Sequence, residues 1–167
     1  GAAGGVGISA VEIGKALGAK VVAAASSDEK LEVCKQYGAD EVINYGGYDL
    51  TDRDQVKQFR SEIAKATGGK GPDVIYDPVG ADFTEPALRS IAWNGRFLVI
   101  GWAAGHIPKI PMNLYLIKGC SAVGVFWGQF TALEPQNHLD NMNQLTCWYE
   151  EGKLKAPVTE ILPLERG

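Results

Sequence analysis

The chain opens on Gly1-Ala-Ala-Gly-Gly-Val-Gly7. Apolar residues follow at Val6, Ala10, Ile13 and Leu17, and that spacing predicts a helix. A glycine turn running straight into a helix presents unpaired N–H groups and a partial positive charge, which suits a pyrophosphate. A side chain at Gly4 or Gly5 would obstruct such a ligand. Written as a fingerprint, the pattern is Ala2-x-Gly4-x-x-Gly7, with alanine where the first glycine stands. Seven residues alone describe a tight turn before an ordinary helix equally well. The context decides between them: Val21-Val-Ala-Ala-Ala25 reads as a strand after the helix, at the spacing of a dinucleotide-binding unit.

The strand that should enter the glycine turn would lie before Gly1. The expectation is therefore a piece of a longer protein, an α/β chain with a doubly wound parallel sheet that lacks its first strand. The rest of the sequence alternates accordingly. Glu41–Tyr45, Asp73–Asp77, Arg96–Ile100 and Ser121–Phe126 read as further strands. Helical spacing links Leu31, Cys34 and Tyr37, with Ser27 or Asp28 as cap, then Val56, Phe59, Ile63 and Ala66 behind Asp52 and Asp54. It continues through Phe83, Ala87, Leu88 and Ile91, and through Leu139, Met142, Leu145 and Trp148 or Tyr149. Gly152 ends the last helix, and 158–162 reads as a final extended piece. The segment 103–113, with Pro108 and Pro111, reads as irregular. Thr67-Gly-Gly-Lys-Gly71 follows a helix and precedes a strand, the reverse of a phosphate loop, and reads as a turn. Strands alternating with helices make a parallel sheet covered on both faces, here in one domain over 1–167.

The end of the strand Val21–Ala25 bears on which cofactor is held. An acidic residue there would hold the ribose 2′-hydroxyl of NAD, whereas a 2′-phosphate needs a cation and hydroxyl donors. The strand ends in Ala25-Ser26-Ser27, with Lys30 one helical turn on. The functional reading is a 2′-phosphate pocket and hence NADPH. The plain alternative is two capping serines and a solvated lysine, with Asp28 and Glu29 nearby.

The 167 residues suffice for one domain with a sizeable core. A net charge of −4 argues against non-specific binding to nucleic acid or an anionic membrane. No apolar run is long enough to span a bilayer. The three cysteines, Cys34, Cys120 and Cys147, are odd in number and far apart, so a disulfide framework or metal site is not expected. They read as buried free thiols suited to a reducing cytoplasm. His106 and His138 have no partners at ligand or triad spacing, and no metal ligand is assigned.

Several stretches, taken in order, resemble the cofactor domain of medium-chain dehydrogenases/reductases, in the zinc-independent NADPH:quinone oxidoreductase branch related to zeta-crystallin. They are Gly1–Gly7, Lys15–Lys20, Gly38–Tyr45, Thr67–Gly71, Tyr76–Gly80, Gly95–Gly101, Val123–Gly128 and Gly152–Leu154. The resemblance implies a Rossmann fold. It implies that Ala3, Gly4, Gly5 and Val6 meet the pyrophosphate of NADPH, and that Ser26, Ser27 and Lys30 hold the 2′-phosphate. Tyr45 would lie against the adenosine end. Ile100, Gly101 and Trp102 would line the nicotinamide side, and Phe126 and Trp127 would close it. It implies hydride transfer to a quinone or an α,β-unsaturated carbonyl, and a homodimer through the last sheet strand. It assigns no catalytic residue to this chain, because the substrate domain is built mostly from residues before it. Ala81 departs from the family, which usually has glycine there.

Two other readings stay open. Gly1-x-x-x-Gly5-x-Gly7 and Tyr149-x-x-x-Lys153 also match the short-chain dehydrogenases, although Gly152 interrupts the helix that must carry that pair. A non-catalytic NADPH-binding module is compatible with the fold.

Overall fold

The computed structural model describes residues 1–155, 157–158 and 160–166. Helix α1 (Gly5–Ala16) leads to strand β1 (Val22–Ala25), and α2 (Asp28–Gln36) to β2 (Glu41–Asn44). Helix α3 (Arg53–Ala66) precedes β3 (Val74–Asp77); a 3-10 turn (Ala81–Phe83) and α4 (Thr84–Ser90) precede β4 (Arg96–Val99). Helix α5 (Asn113–Lys118), β5 (Ser121–Gly124), α6 (Trp127–Leu133) and α7 (Pro135–Glu150) follow.

All strand pairs are parallel, but they form two groups. β1 pairs with β2, Ala25 opposite Asn44, while β4 lies between β3 and β5, with Asp77 opposite Val99 and Val99 opposite Gly124. Among the described residues no strand lies between β1 and β3, where the doubly wound order places the first strand.

The pleat of β1 shows why this sheet carries helices on both faces. Ala23 packs with Ile8 and Val11 of α1 and Cys34 of α2. Its neighbours Val22 and Ala24 join the opposite cluster, Ile43 with Phe59 and Ile63 of α3. Successive side chains of a strand point to opposite faces, so small alanines let both layers approach. The second strand group has its own core of Leu88, Ile91, Phe97 and Leu114.

Caps set the helix starts. Ser27 Oγ accepts the Lys30 N–H, and Asp52 Oδ1 accepts the N–H groups of Asp54 and Gln55. At the far end of α1, Lys15 Nζ donates to both Asp40 oxygens at 2.8 Å. Asp40 Oδ2 also accepts the Val21 N–H at 2.7 Å, so one carboxylate joins α1 to the starts of β1 and β2.

The inner face of α1 is Ile8, Val11 and Glu12, whereas Val6 and Leu17 are exposed. Gly7 and Ile8 of the first turn are already buried, and Val6 lies on the side away from them. Several expectations need correction. β5 stops at Gly124, and Phe126 is the N-cap of α6. Helices α5 and α6 were not expected. Cys34 is buried, but Cys147 is exposed, on a helix with no buried residue. The piece expected over 158–162 includes residue 159, which lies outside the described residues; those described beside it form no strand.

Candidate functional site

The expected site residues gather at one end of the sheet. Ser26 and Ser27 follow β1, Tyr45 follows β2, Ile100–Trp102 follow β4, and Phe126 and Trp127 follow β5. Within each group the strands are parallel, so their carboxyl ends lie together, and Tyr45 packed on Phe83 brings the ends of β2 and β3 side by side, where sheets of this kind hold ligands.

The glycine turn meets that end. The Gly1 amine and the Ala2 N–H both donate to Ala24 O at 3.0 Å. Gly4 N–H bonds Gly1 O at 3.3 Å and Gly4 O accepts the Ile8 N–H at 2.8 Å, a turn closing into a helix. A Cβ on Gly7 would overlap the carbonyl oxygens of Gly1 and Ala2, whereas one on Gly5 would meet nothing within 4 Å. Gly7 is thus required by the turn itself, and the space over Gly4 and Gly5 is open. Among the described residues the Gly5 and Val6 N–H groups have no backbone acceptor, as expected of a helix start. Ala3 is half-buried beside them.

At the end of β1, Lys30 Nζ donates to Ser26 Oγ at 3.1 Å, and the Lys30 N–H reaches Ser27 Oγ at 3.4 Å. Asp28, next to Ser27 in the chain, has its Oδ1 engaged by the Asn44 side-chain amide at 2.7 Å. Asn44 Oδ1 in turn accepts the Gly46 N–H at 2.9 Å. The group therefore presents two hydroxyls and an ammonium, with the nearby carboxylate tied to β2. These donors, together with the open glycine turn, fit a dinucleotide carrying a 2′-phosphate.

Tyr45 links the two strand groups. Its hydroxyl accepts a hydrogen bond from the Gly1 amine at 2.9 Å, and its ring tilts against Phe83 with centroids 4.5 Å apart. Burial, and then the nearby Asp77 carboxylate, push the phenol above its ordinary pKa.

A network around Asp77 completes this end, and it was missed in the sequence. Asp77 Oδ1 accepts the N–H groups of Val79 and Gly80, each at 2.9 Å, and Oδ2 accepts the Thr84 hydroxyl at 2.8 Å. Asp-Pro-x-Gly was the available signal, because an aspartate folds the backbone two residues on. The loop so held offers Pro78 O to the Ala103 N–H and Val79 O to the Ala104 N–H. It thereby fixes the segment after β4. Ala81, just after this loop, sits at φ +57° and is buried.

Trp102 is half-exposed over this loop, while Phe126 and Trp127 are 76% and 65% exposed. Trp127 turns toward His138, ring centroids 5.8 Å apart. The site residues thus fall into a set around Gly1, Ser26, Lys30 and Tyr45, a set around Gly80 and Trp102, and the outlying pair Phe126 and Trp127. Among the described residues no cluster of His, Cys, Asp and Glu could hold a metal ion, and no helix is long and apolar enough to cross a membrane. Lys153 lies beyond the end of α7, paired with Glu151 at 2.6 Å, so it does not share a helix with Tyr149 as a short-chain dehydrogenase pair must.

A parallel sheet wound on both faces, with a glycine turn at its carboxyl end, defines a Rossmann-type nucleotide domain. Residues 5–144 match the zinc-binding dehydrogenase family, and the chain belongs to it. It is 38% identical over 157 residues to a quinone oxidoreductase-like protein 2 homolog of Nematostella vectensis, covering 93% of this chain and 40% of that protein. Two solved structures superpose with a TM-score of 0.80. One is quinone oxidoreductase from Pseudomonas syringae pv. Tomato, at 31% identity over 94% of this chain and 46% of that one. The other is Escherichia coli quinone oxidoreductase complexed with NADPH, at 28% identity over 95% of this chain and 46% of that one. The chain thus spans less than half the length of these relatives.

Proposed function

We propose that this chain is the NADPH-binding domain of an oxidoreductase that reduces quinones or α,β-unsaturated carbonyls. The observation that carries the reading is the Ser26–Ser27–Lys30 group beside an open glycine turn, with Asp28 drawn away by Asn44. On this reading Ala3, Gly4, Gly5 and Val6 face the pyrophosphate, and Gly5 and Val6 donate their free N–H groups to it. Ser26, Ser27 and Lys30 hold the 2′-phosphate, and Tyr45 backs the adenosine end. Ile100, Gly101 and Trp102 line the nicotinamide side, with Phe126 and Trp127 closing over it. NADPH supplies the hydride when bound; the protein positions it and keeps water from it. No residue here is assigned a proton-transfer role. The residues 1–167 act as one such domain, completed by a substrate domain elsewhere in the protein, which works in the cytoplasm. The exposed edge of β5 pairs with a second copy in a homodimer.

The test is a fluorescence titration with NADPH and NADH, on this chain and on its Lys30→Ala variant. NADPH is expected to bind at least tenfold more tightly, and Lys30→Ala to remove that preference while leaving NADH binding unchanged; a charge-assisted phosphate contact is worth about that much. Equal affinity for the two nucleotides overturns the 2′-phosphate assignment. Oxidation of NADPH by the whole protein with a quinone or enone acceptor tests the reaction.

A further inference from the structure

The outer surface of α3 and α4 carries a second feature. With the segment 106–110 they enclose a cleft of about 840 Å³. Arg53, Lys57, Arg60, Arg89 and Lys109 line it, against two carboxylates, Asp82 and Glu85. Glu85 is already engaged, by Arg89 Nε at 2.8 Å and Nη2 at 2.7 Å. Asp82 lies 3.6 Å from His106. A shallower hollow of about 210 Å³ shares Arg60 and Arg89 and adds Lys70 and Lys118, with no carboxylate in its lining. Seven of the chain's 16 lysines and arginines thus face one groove, in a protein whose net charge is −4.

Arg60 stands where the two hollows meet. Among the described residues its Nε is buried without a hydrogen-bond partner, and its Nη2 reaches only Arg89 O, at 3.4 Å. A guanidinium donor removed from water and left unpaired is costly. Arg89 lines both hollows with it, its guanidinium on Glu85. An anion held in this positive groove lowers the cost of keeping the Arg60 charge there.

We propose that this groove binds a small multiply charged phosphate anion, anchored by Arg60 and Arg89. Arginine forks suit phosphate oxygens, and Arg53 and Lys57 extend the contact along α3. Among the described residues no Phe, Tyr or Trp lines either hollow, and the one aromatic ring there, His106, lies against Asp82. The ligand class is accordingly a pyrophosphate or polyphosphate group without a base, separate from the dinucleotide site at the sheet end.

Inorganic pyrophosphate is the probe. Arginine side-chain NMR reads the Arg60 Nε–H directly, and backbone amides of Gly4 and Gly5 report binding at the glycine turn. The expected result is a saturable shift of the Arg60 signal at submillimolar pyrophosphate. Arg60→Met should abolish saturable binding. The exposed pair Arg53→Gln/Lys57→Gln, which leaves the packed arginines intact, should raise the dissociation constant about tenfold. Lys30→Ala should leave it unchanged. An Arg60 signal that stays still while Gly4 and Gly5 move overturns the proposal. So does a shift that never saturates, or that sulfate reproduces at equal ionic strength, which marks an adventitious ion only. Unchanged affinity in Arg53→Gln/Lys57→Gln also overturns it.

Discussion

Gly80 lies flat against Trp102. A Cβ on Gly80 would come within 2.6 Å of Trp102 Cδ1, and Gly80 holds φ +72° and ψ −148°, a region essentially closed to other residues. The loops after β3 and β4 therefore fit together only because position 80 has no side chain. Gly80→Ala should cost about 2–3 kcal/mol through strain and displacement of the indole. At this chain length that lowers Tm by about 5–10 °C. Trp102 fluorescence should change with it. A variant with unchanged Tm and emission would show that the loops can part freely.

Asp77 holds the same loop from inside. In Asp77→Ala the N–H groups of Val79 and Gly80 and the Thr84 hydroxyl lose their acceptor together, a loss of about 2–3 kcal/mol for partly buried groups. Asparagine keeps an oxygen for the two N–H groups and can donate to Thr84, so Asp77→Asn should lose under about 1 kcal/mol. Urea unfolding of the two variants separates hydrogen bonding from mere occupancy. Equal losses would mean that the carboxylate does not organise the loop.

Ala81 is an L-residue in left-handed backbone, which costs about 1 kcal/mol. Ala81→Gly trades relief of that strain against loss of a buried methyl group and should change stability by less than about 0.5 kcal/mol. Ala87→Gly in α4 relieves no strain and should cost about 1–2 kcal/mol. Similar losses at both positions would refute the strained geometry.

Asp40 makes stability depend on acid. Hydrogen bonds from Lys15, then from the Val21 N–H, hold its carboxyl below the usual range. The folded pKa is thus lower than the unfolded value of about 3.9. The contribution is complete above the unfolded value and is lost as pH falls through the folded one. Wild type and Asp40→Asn should therefore differ by a constant amount between pH 5 and 7, by about the worth of a surface pair and one backbone contact. The difference should shrink below about pH 4. A gap unchanged at pH 3 would mean that the pair does not titrate.

The sequence made some of this legible, and for local reasons. Ser27 and Asp52 were readable as caps because a short polar side chain before an apolar stripe does one thing well. Five strands were found to within two residues, because β-branched and apolar runs between glycine turns have little else to become. Apolar spacing placed α1 but not its buried face, because exposed Val6 and Leu17 share the apolar character of buried Ile8 and Val11. Helix α5 escaped notice because it is six residues long, buries only Leu114, and has no side-chain cap. The strand expected over Ser121–Phe126 ends two residues early, at Gly124, because Phe126 favours strands but tertiary context makes it the N-cap of α6. Asp77 was missed as an organiser because its partners Val79 and Gly80 are backbone groups, and composition does not show them.

The two strand groups have separate cores, and on the proposed reading each carries one end of the cofactor. The Ser26 end rests on β1 and β2, and the Trp102 end on β3 and β4. A dinucleotide that binds only when both ends are in place would stabilise the two groups together, by an amount set by its concentration and affinity.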